Sequence, residues 1–153
     1  KGCYSFETEV TGRDGHSSQT HRGANAIVAA ASIVGELQRI AEDLRSGAYQ
    51  DANFEPPYPT INVGRIEGGT AVNIIARHCQ VHWDFRATPG ATPALVLPQL
   101  ERFVADSVLP RLRTTRRALS LPAASFRLAT ICSSVKRFRF IWASSGSPPG
   151  SCP

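Results

Sequence analysis

Three observations predict an α+β fold, an antiparallel sheet carrying two helices on one face, for this 153-residue chain. Two segments alternate apolar and polar residues with the period of a half-buried strand. Two others repeat apolar residues at intervals of three and four, the period of an amphipathic helix. Clusters of glycine and proline separate these segments.

Tyr4, Phe6, Thr8 and Val10 alternate with Ser5, Glu7 and Glu9, so residues 3–11 form the first strand. The glycine-rich turn 12–15 ends it, and a loop over 16–23 leads to a helix over about 25–46. The helix draws its apolar stripe from Ile27, Ala30, Val34, Leu37, Ala41 and Leu44, and Gly47 stops it. Phe54-Glu55-Pro56-Pro57-Tyr58-Pro59 cannot continue a helix and reads as an extended linker. A second strand follows over 60–66, then the Gly68-Gly69 turn. Cys79, Val81, Trp83 and Phe85 alternate with Gln80, His82, Asp84 and Arg86 in a third strand, which Pro89-Gly90 stops. Leu95, Val96, Leu100, Phe103 and Val104 mark a second helix over about 92–107. This order lacks only a final strand to be a ferredoxin-like βαββαβ unit. Parts of 125–131 or 137–142 are the candidates, and the choice between them stays open.

The length suits one domain with a real core. No apolar run approaches the roughly 18 residues of a membrane span, and the first twenty residues lack a signal peptide's apolar centre. Lys1 opens directly into a strand-like pattern, so the chain is expected to begin inside a larger protein. The net charge of +5 is unevenly spread. Residues 1–106 hold all twelve acids and nine of the seventeen bases, a net of −3; residues 107–153 hold the other eight bases and no acid, a net of +8. The basic character thus belongs to an Arg-, Ser- and Pro-rich tail over 114–153, set apart from a domain over 1–113. A biased end is not the folded basic patch that nucleic-acid binding needs, so neither nucleic acid nor membrane is an expected partner. Cys3, Cys79, Cys132 and Cys152 show neither CxxC pairing nor zinc-finger spacing. They read as reduced thiols of a cytoplasmic protein.

Two segments carry chemistry. Gly12-Arg13-Asp14-Gly15-His16-Ser17-Ser18 precedes Gly23-Ala24-Asn25-Ala26-Ile27, and Gly68-Gly69-Thr70-Ala71-Val72-Asn73 precedes Asp84-Phe85-Arg86. Together they offer an imidazole, an amide and a guanidinium, a set suited to a carboxylate or a developing oxyanion. Each residue also has a plainer reading. His16 can cap the following helix, Asn73 can bond its own turn backbone, and Arg86 can form a surface ion pair with Asp84. Ser17 and Ser18 read as loop and cap residues, because no base and acid stand at nucleophile spacing. His78, Cys79 and His82 do not form a metal site, because alternation turns Cys79 away from both histidines.

These motifs, with Tyr58-Pro59-Thr60-Ile61-Asn62-Val63-Gly64 and Pro89-Gly90, resemble the lid, or dimerisation, domain of the acetylornithine deacetylase and succinyl-diaminopimelate desuccinylase family. That family comprises zinc-dependent amidohydrolases related to carboxypeptidase G2 and the aminoacylases. The resemblance covers residues 2–110 and rests on the order and spacing of the motifs together. It implies that His16 reaches into a partner subunit's active site as a catalytic residue that stabilises the oxyanion, and that Asn73 and Arg86 line the same cleft and bind substrate. It implies a homodimer, a small N-acyl amino-acid substrate of the kind met in arginine biosynthesis, and zinc (or cobalt) held by a separate catalytic domain of the same protein. Nothing here matches that domain's His-x-Asp or Glu-Glu motifs, so no metal ligand is expected in this chain and the chain alone is expected to be inactive. Ala76 departs from the proline many relatives carry. The bias after about Arg113 is of the kind that out-of-frame translation of GC-rich sequence gives. The alternative function is a stand-alone ferredoxin-like dimerisation or binding module without catalysis.

Overall fold

The structure, a computed structural model, describes residues 1–114, 125–132 and 138–142. Its elements run β1 (Gly2–Thr11), a 3₁₀ turn (Ser17–Arg22), α1 (Ala26–Arg45), β2 (Thr60–Gly68), β3 (His78–Ala87) and a second 3₁₀ turn (Pro93–Leu95). Then come α2 (Leu97–Phe103), a π-helical turn (Val104–Val108), α3 (Leu109–Thr114), β4 (Ser125–Cys132) and β5 (Phe138–Trp142). All strand pairs are antiparallel, in the order β2-β3-β1-β4-β5. Both segments that were candidates for the last strand are therefore strands. The first pairs with β1 and the second lies outside it. Of the expected tail, residues 115–124, 133–137 and 143–153 lie outside the described residues.

Alternation decides which face is buried. Phe6, Thr8 and Val10 of β1, and Cys79, Val81, Trp83 and Phe85 of β3, point to the side covered by the helices. Phe6 stacks on Trp83 with ring centroids 4.1 Å apart. The buried Trp83 indole N–H donates to Thr8 Oγ1 at 3.0 Å, so the two polar groups in this layer satisfy one another. Glu7, Glu9, Gln80, His82, Asp84 and Arg86 occupy the opposite face.

Asn25 caps α1, its Oδ1 accepting from Ile27 N–H at 2.9 Å and Val28 N–H at 3.3 Å. The buried stripe is Ala26, Ala29, Ala30, Ile33, Leu37, Ile40 and Leu44. It shares Ala30, Leu37 and Leu44 with the expected stripe but is rotated, leaving Ile27 39% exposed. Several apolar positions satisfy the helical period at once, and only the docked sheet selects among them. The second helix also runs past its expected end at 107. In a regular α-helix the ring of Pro110 would meet the carbonyl four residues back. The widened π turn just before it shifts the hydrogen-bond ladder, and the helix continues to Thr114.

Candidate functional site

Three chain segments meet at one end of the sheet: the exit of β1, the entrance of α1 and the β2–β3 connection. Gly12 N–H donates to Arg77 O at 2.7 Å, and Arg13 and Ala24 exchange a pair of backbone hydrogen bonds at 2.8 and 2.9 Å. Ile75 N–H donates to Gly15 O at 2.8 Å and Ser17 N–H to Asn73 O at 2.9 Å, making His16 and Ile74 partners in an isolated bridge. A Cβ on Gly12 would stand 1.9 Å from Ala24 O, so this lacing requires glycine there. Gly69, at φ +78°, turns the chain at the start of the connection.

The lacing brings the backbones of the His16 and Asn73 segments together. His16 is exposed at the head of the 3₁₀ turn, where its Nδ1 accepts from Ser18 N–H at 3.3 Å and lies 2.8 Å from Ser18 Oγ. A ring nitrogen that accepts from a backbone N–H is unprotonated in the neutral ring, so this contact favours the tautomer with its proton on Nε2, which makes no hydrogen bond among the described residues. The 3₁₀ turn replaces the plain loop expected over 16–23. Ser18 emerges as the residue that orients the ring, a role its sequence position did not signal because the contact runs over two residues within a turn. The Asn73 side chain is exposed and makes no hydrogen bond among the described residues. Its amide is available, and the expected plainer role of bonding its own turn is not what the structure displays.

Arg86 is not brought to this pair within one chain. It sits near the other end of β3, in register with Cys3 and Thr60, and on the open face of the sheet. The run from His78 to Arg86 is on the order of 25 Å at about 3.3 Å per residue. There Arg86 Nη2 donates to Asp84 Oδ2 at 3.1 Å, with side chains 48% and 24% exposed. The surface pair is thus present, worth roughly 0–1 kcal/mol, and it leaves most of the guanidinium's donors unused.

His78 and His82 lie on the open face while Cys79 is fully buried, the division that alternation predicts. His78 Nε2 pairs with Glu9 Oε1 at 2.9 Å. Burial pushes the Cys79 thiol up. Among the described residues no three His, Cys, Asp or Glu side chains are grouped so as to hold a metal ion. A zinc ion does not fit this part of the molecule.

A groove of about 480 Å³ adjoins the His16–Asn73 end, with Asp14, Gly68, Gly69, Ile75 and Arg77 in its lining.

The chain belongs to the peptidase dimerisation domain family, whose model matches residues 1–110. It is 42% identical over 92 residues to the acetylornithine deacetylase of Photorhabdus laumondii, covering 60% of this chain and 24% of that protein. To the acetylornithine deacetylase of Salmonella arizonae it is 37% identical over 110 residues, covering 72% of this chain and 27% of the other. The chain thus spans about a quarter of the length of these relatives and corresponds to their dimerisation, or lid, segment. Among solved structures, an amidase of the hydantoinase/carbamoylase family from Burkholderia multivorans superposes with a TM-score of 0.56 at 22% identity, over 85% of this chain and 27% of that one. The aminobenzoyl-glutamate utilization protein of Klebsiella pneumoniae does so with a TM-score of 0.52 at 20% identity, over 83% and 27%. These two likenesses speak for the fold.

Proposed function

We propose that this chain is the lid and dimerisation part of a cytoplasmic, zinc-dependent enzyme that deacylates N-acyl amino acids, acetylornithine foremost, as in arginine biosynthesis. The observation that carries the reading is the backbone-pinned pair of His16 and Asn73, with the His16 Nε2–H unengaged. In this reading His16 donates to the oxyanion that forms on the scissile carbonyl, and Asn73 and Arg86 position the substrate. The zinc, held by a catalytic domain outside these residues, activates the attacking water.

The separation of Arg86 from the pair gives the reading a definite form. One small substrate touches all three residues only if two copies supply them, His16 and Asn73 from one and Arg86 from the other. The ferredoxin-like unit supports such a homodimer. β2 is a sheet edge with unpaired backbone groups; Ile66 on it is 50% exposed and Val28 on α1 is 62% exposed. The domain over 1–113 carries the candidate residues in this proposal.

The test uses a full-length enzyme rebuilt by grafting these residues onto a matching catalytic domain. His16→Ala should lower kcat by about 10²–10³, the loss typical of one oxyanion donor, with little change in KM. Arg86→Ala should mainly raise KM. Mixing His16→Ala subunits with subunits inactivated at the zinc site should recover part of the activity, because each mixed dimer then holds one complete site. Absence of recovery in verified mixed dimers would refute action in trans. Normal activity of the rebuilt His16→Ala enzyme would refute the role itself and favour a module without catalysis.

A further inference from the structure

The His16 imidazole is exposed, so packing does not hold it, and the hydrogen-bonding partner of its ring among the described residues is Ser18. A histidine ring turning about its Cβ–Cγ bond has two broad orientations half a turn apart. The flip exchanges Nδ1 with Cδ2 and Nε2 with Cε1, so it puts a carbon where a donor stood. The neutral ring is ambiguous a second time, because either nitrogen can carry the proton. A ring that is to donate from one fixed point needs both ambiguities removed together, with Nδ1 held against the turn and the proton on Nε2.

Ser18 acts on both. Its N–H donates to Nδ1 at 3.3 Å, and its Oγ lies 2.8 Å from the same nitrogen. A proton on Nδ1 would set N–H against N–H, so the nitrogen accepts and the hydroxyl is the donor of the shorter contact. The flipped ring would turn a carbon to both groups and forfeit both bonds. The turn that carries Ser18 is itself anchored, with Gln19 N–H donating to His16 O and Ser17 N–H to Asn73 O, each at 2.9 Å. A contact of 2.8 Å is also the reach of a nucleophile and its base, but among the described residues no carboxylate orients the far side of the ring as a triad requires.

We infer that Ser18 is a positioning residue for His16: its hydroxyl donates to Nδ1, which fixes the orientation of the ring and leaves Nε2–H as the donor. The inference rests on the proposed function for the oxyanion role and adds the residue that presents the donor. Ser18 itself touches no reacting atom in it.

The first measurement takes the ring nitrogen shifts of the neutral histidines in the isotope-labelled 153-residue chain. His21, exposed on the same 3₁₀ turn and without a side-chain hydrogen bond among the described residues, is the free-ring reference within the molecule. His16 should hold a larger fraction of the Nε2–H tautomer than His21, with its Nδ1 shifted as a hydrogen-bond acceptor. Ser18→Ala should move both signals toward those of His21. Ser18→Thr, which keeps a hydroxyl, should retain them, and so should Ser17→Ala. A His16 ring that matches His21 in the parent, or that ignores Ser18→Ala, overturns the inference.

The second measurement uses the rebuilt full-length enzyme. Ser18→Ala should lower kcat about two- to tenfold, the worth of one net hydrogen bond, with KM little changed, and Ser18→Thr should restore most of the loss. A loss that Ser18→Thr fails to restore and Ser17→Ala shares marks a merely structural turn and overturns the inference. Normal kcat in Ser18→Ala beside the expected loss in His16→Ala also overturns it and leaves the lid reading standing. Normal kcat in both variants overturns the two together.

Discussion

The two ends of β3 hold their candidate side chains by different means. At the His78 end, six backbone hydrogen bonds of 2.7–2.9 Å lace three segments together and fix where the backbones of His16 and Asn73 stand. At the Arg86 end, position depends on one exposed side-chain pair with Asp84. Backbone lacing is short-range and shielded, and it survives loss of any single side chain. A surface ion pair is screened by solvent and weak. In the proposed function, a group that must meet a developing charge within a few tenths of an ångström needs the first kind of support. An arginine proposed to clamp a carboxylate tolerates the second, because its own flexibility finds the partner.

This contrast can be broken most severely at Gly12. Gly12→Ala drives a Cβ into the Ala24 carbonyl, where backbone meets backbone and neither can yield. We expect a loss of about 3 kcal/mol in urea unfolding, at the upper end for overpacking. A loss under about 1 kcal/mol would mean the lacing gives way cheaply. The next largest effect is kinetic. Cys79 lies at the laced end, buried and with its thiol pushed up, while Cys3 lies in register with Arg86 and is only partly buried. Alkylation followed by peptide mass mapping should find Cys79 reacting at least about tenfold more slowly than Cys3. Comparable rates would show the two ends opening alike.

A smaller effect belongs to the cap. Asn25→Ala removes the acceptor for two amide donors of α1 and should cost about 1 kcal/mol in thermal unfolding. Smallest of all, Asp84→Asn should change stability by less than about 0.5 kcal/mol, as an exposed pair of this kind contributes little. A cost above about 1.5 kcal/mol would make the open end as structurally tied as the laced one.

The local pattern determined the elements of this protein. Period-two alternation in Tyr4–Val10 and Cys79–Arg86 and the period of α1 needed no tertiary information, because each reflects one buried face of a repeating backbone. The candidate residues were legible too, as donors beside glycines. Four things were decided only in three dimensions. The face of α1 that is buried depends on how the helix docks, since apolar residues satisfy two neighbouring stripes. The helix continues past Pro110 behind a π turn, beyond the end at 107 that its apolar pattern marks. Ser18 meets His16 within a turn that the Ser17 N–H ties to Asn73 O. The partition of His16 and Asn73 from Arg86 follows from strand length, because the same alternation that puts residues on one face says nothing about which residue from elsewhere in the chain stands beside them. Periodicity is a property of neighbours along the backbone, whereas a site is made by neighbours across it.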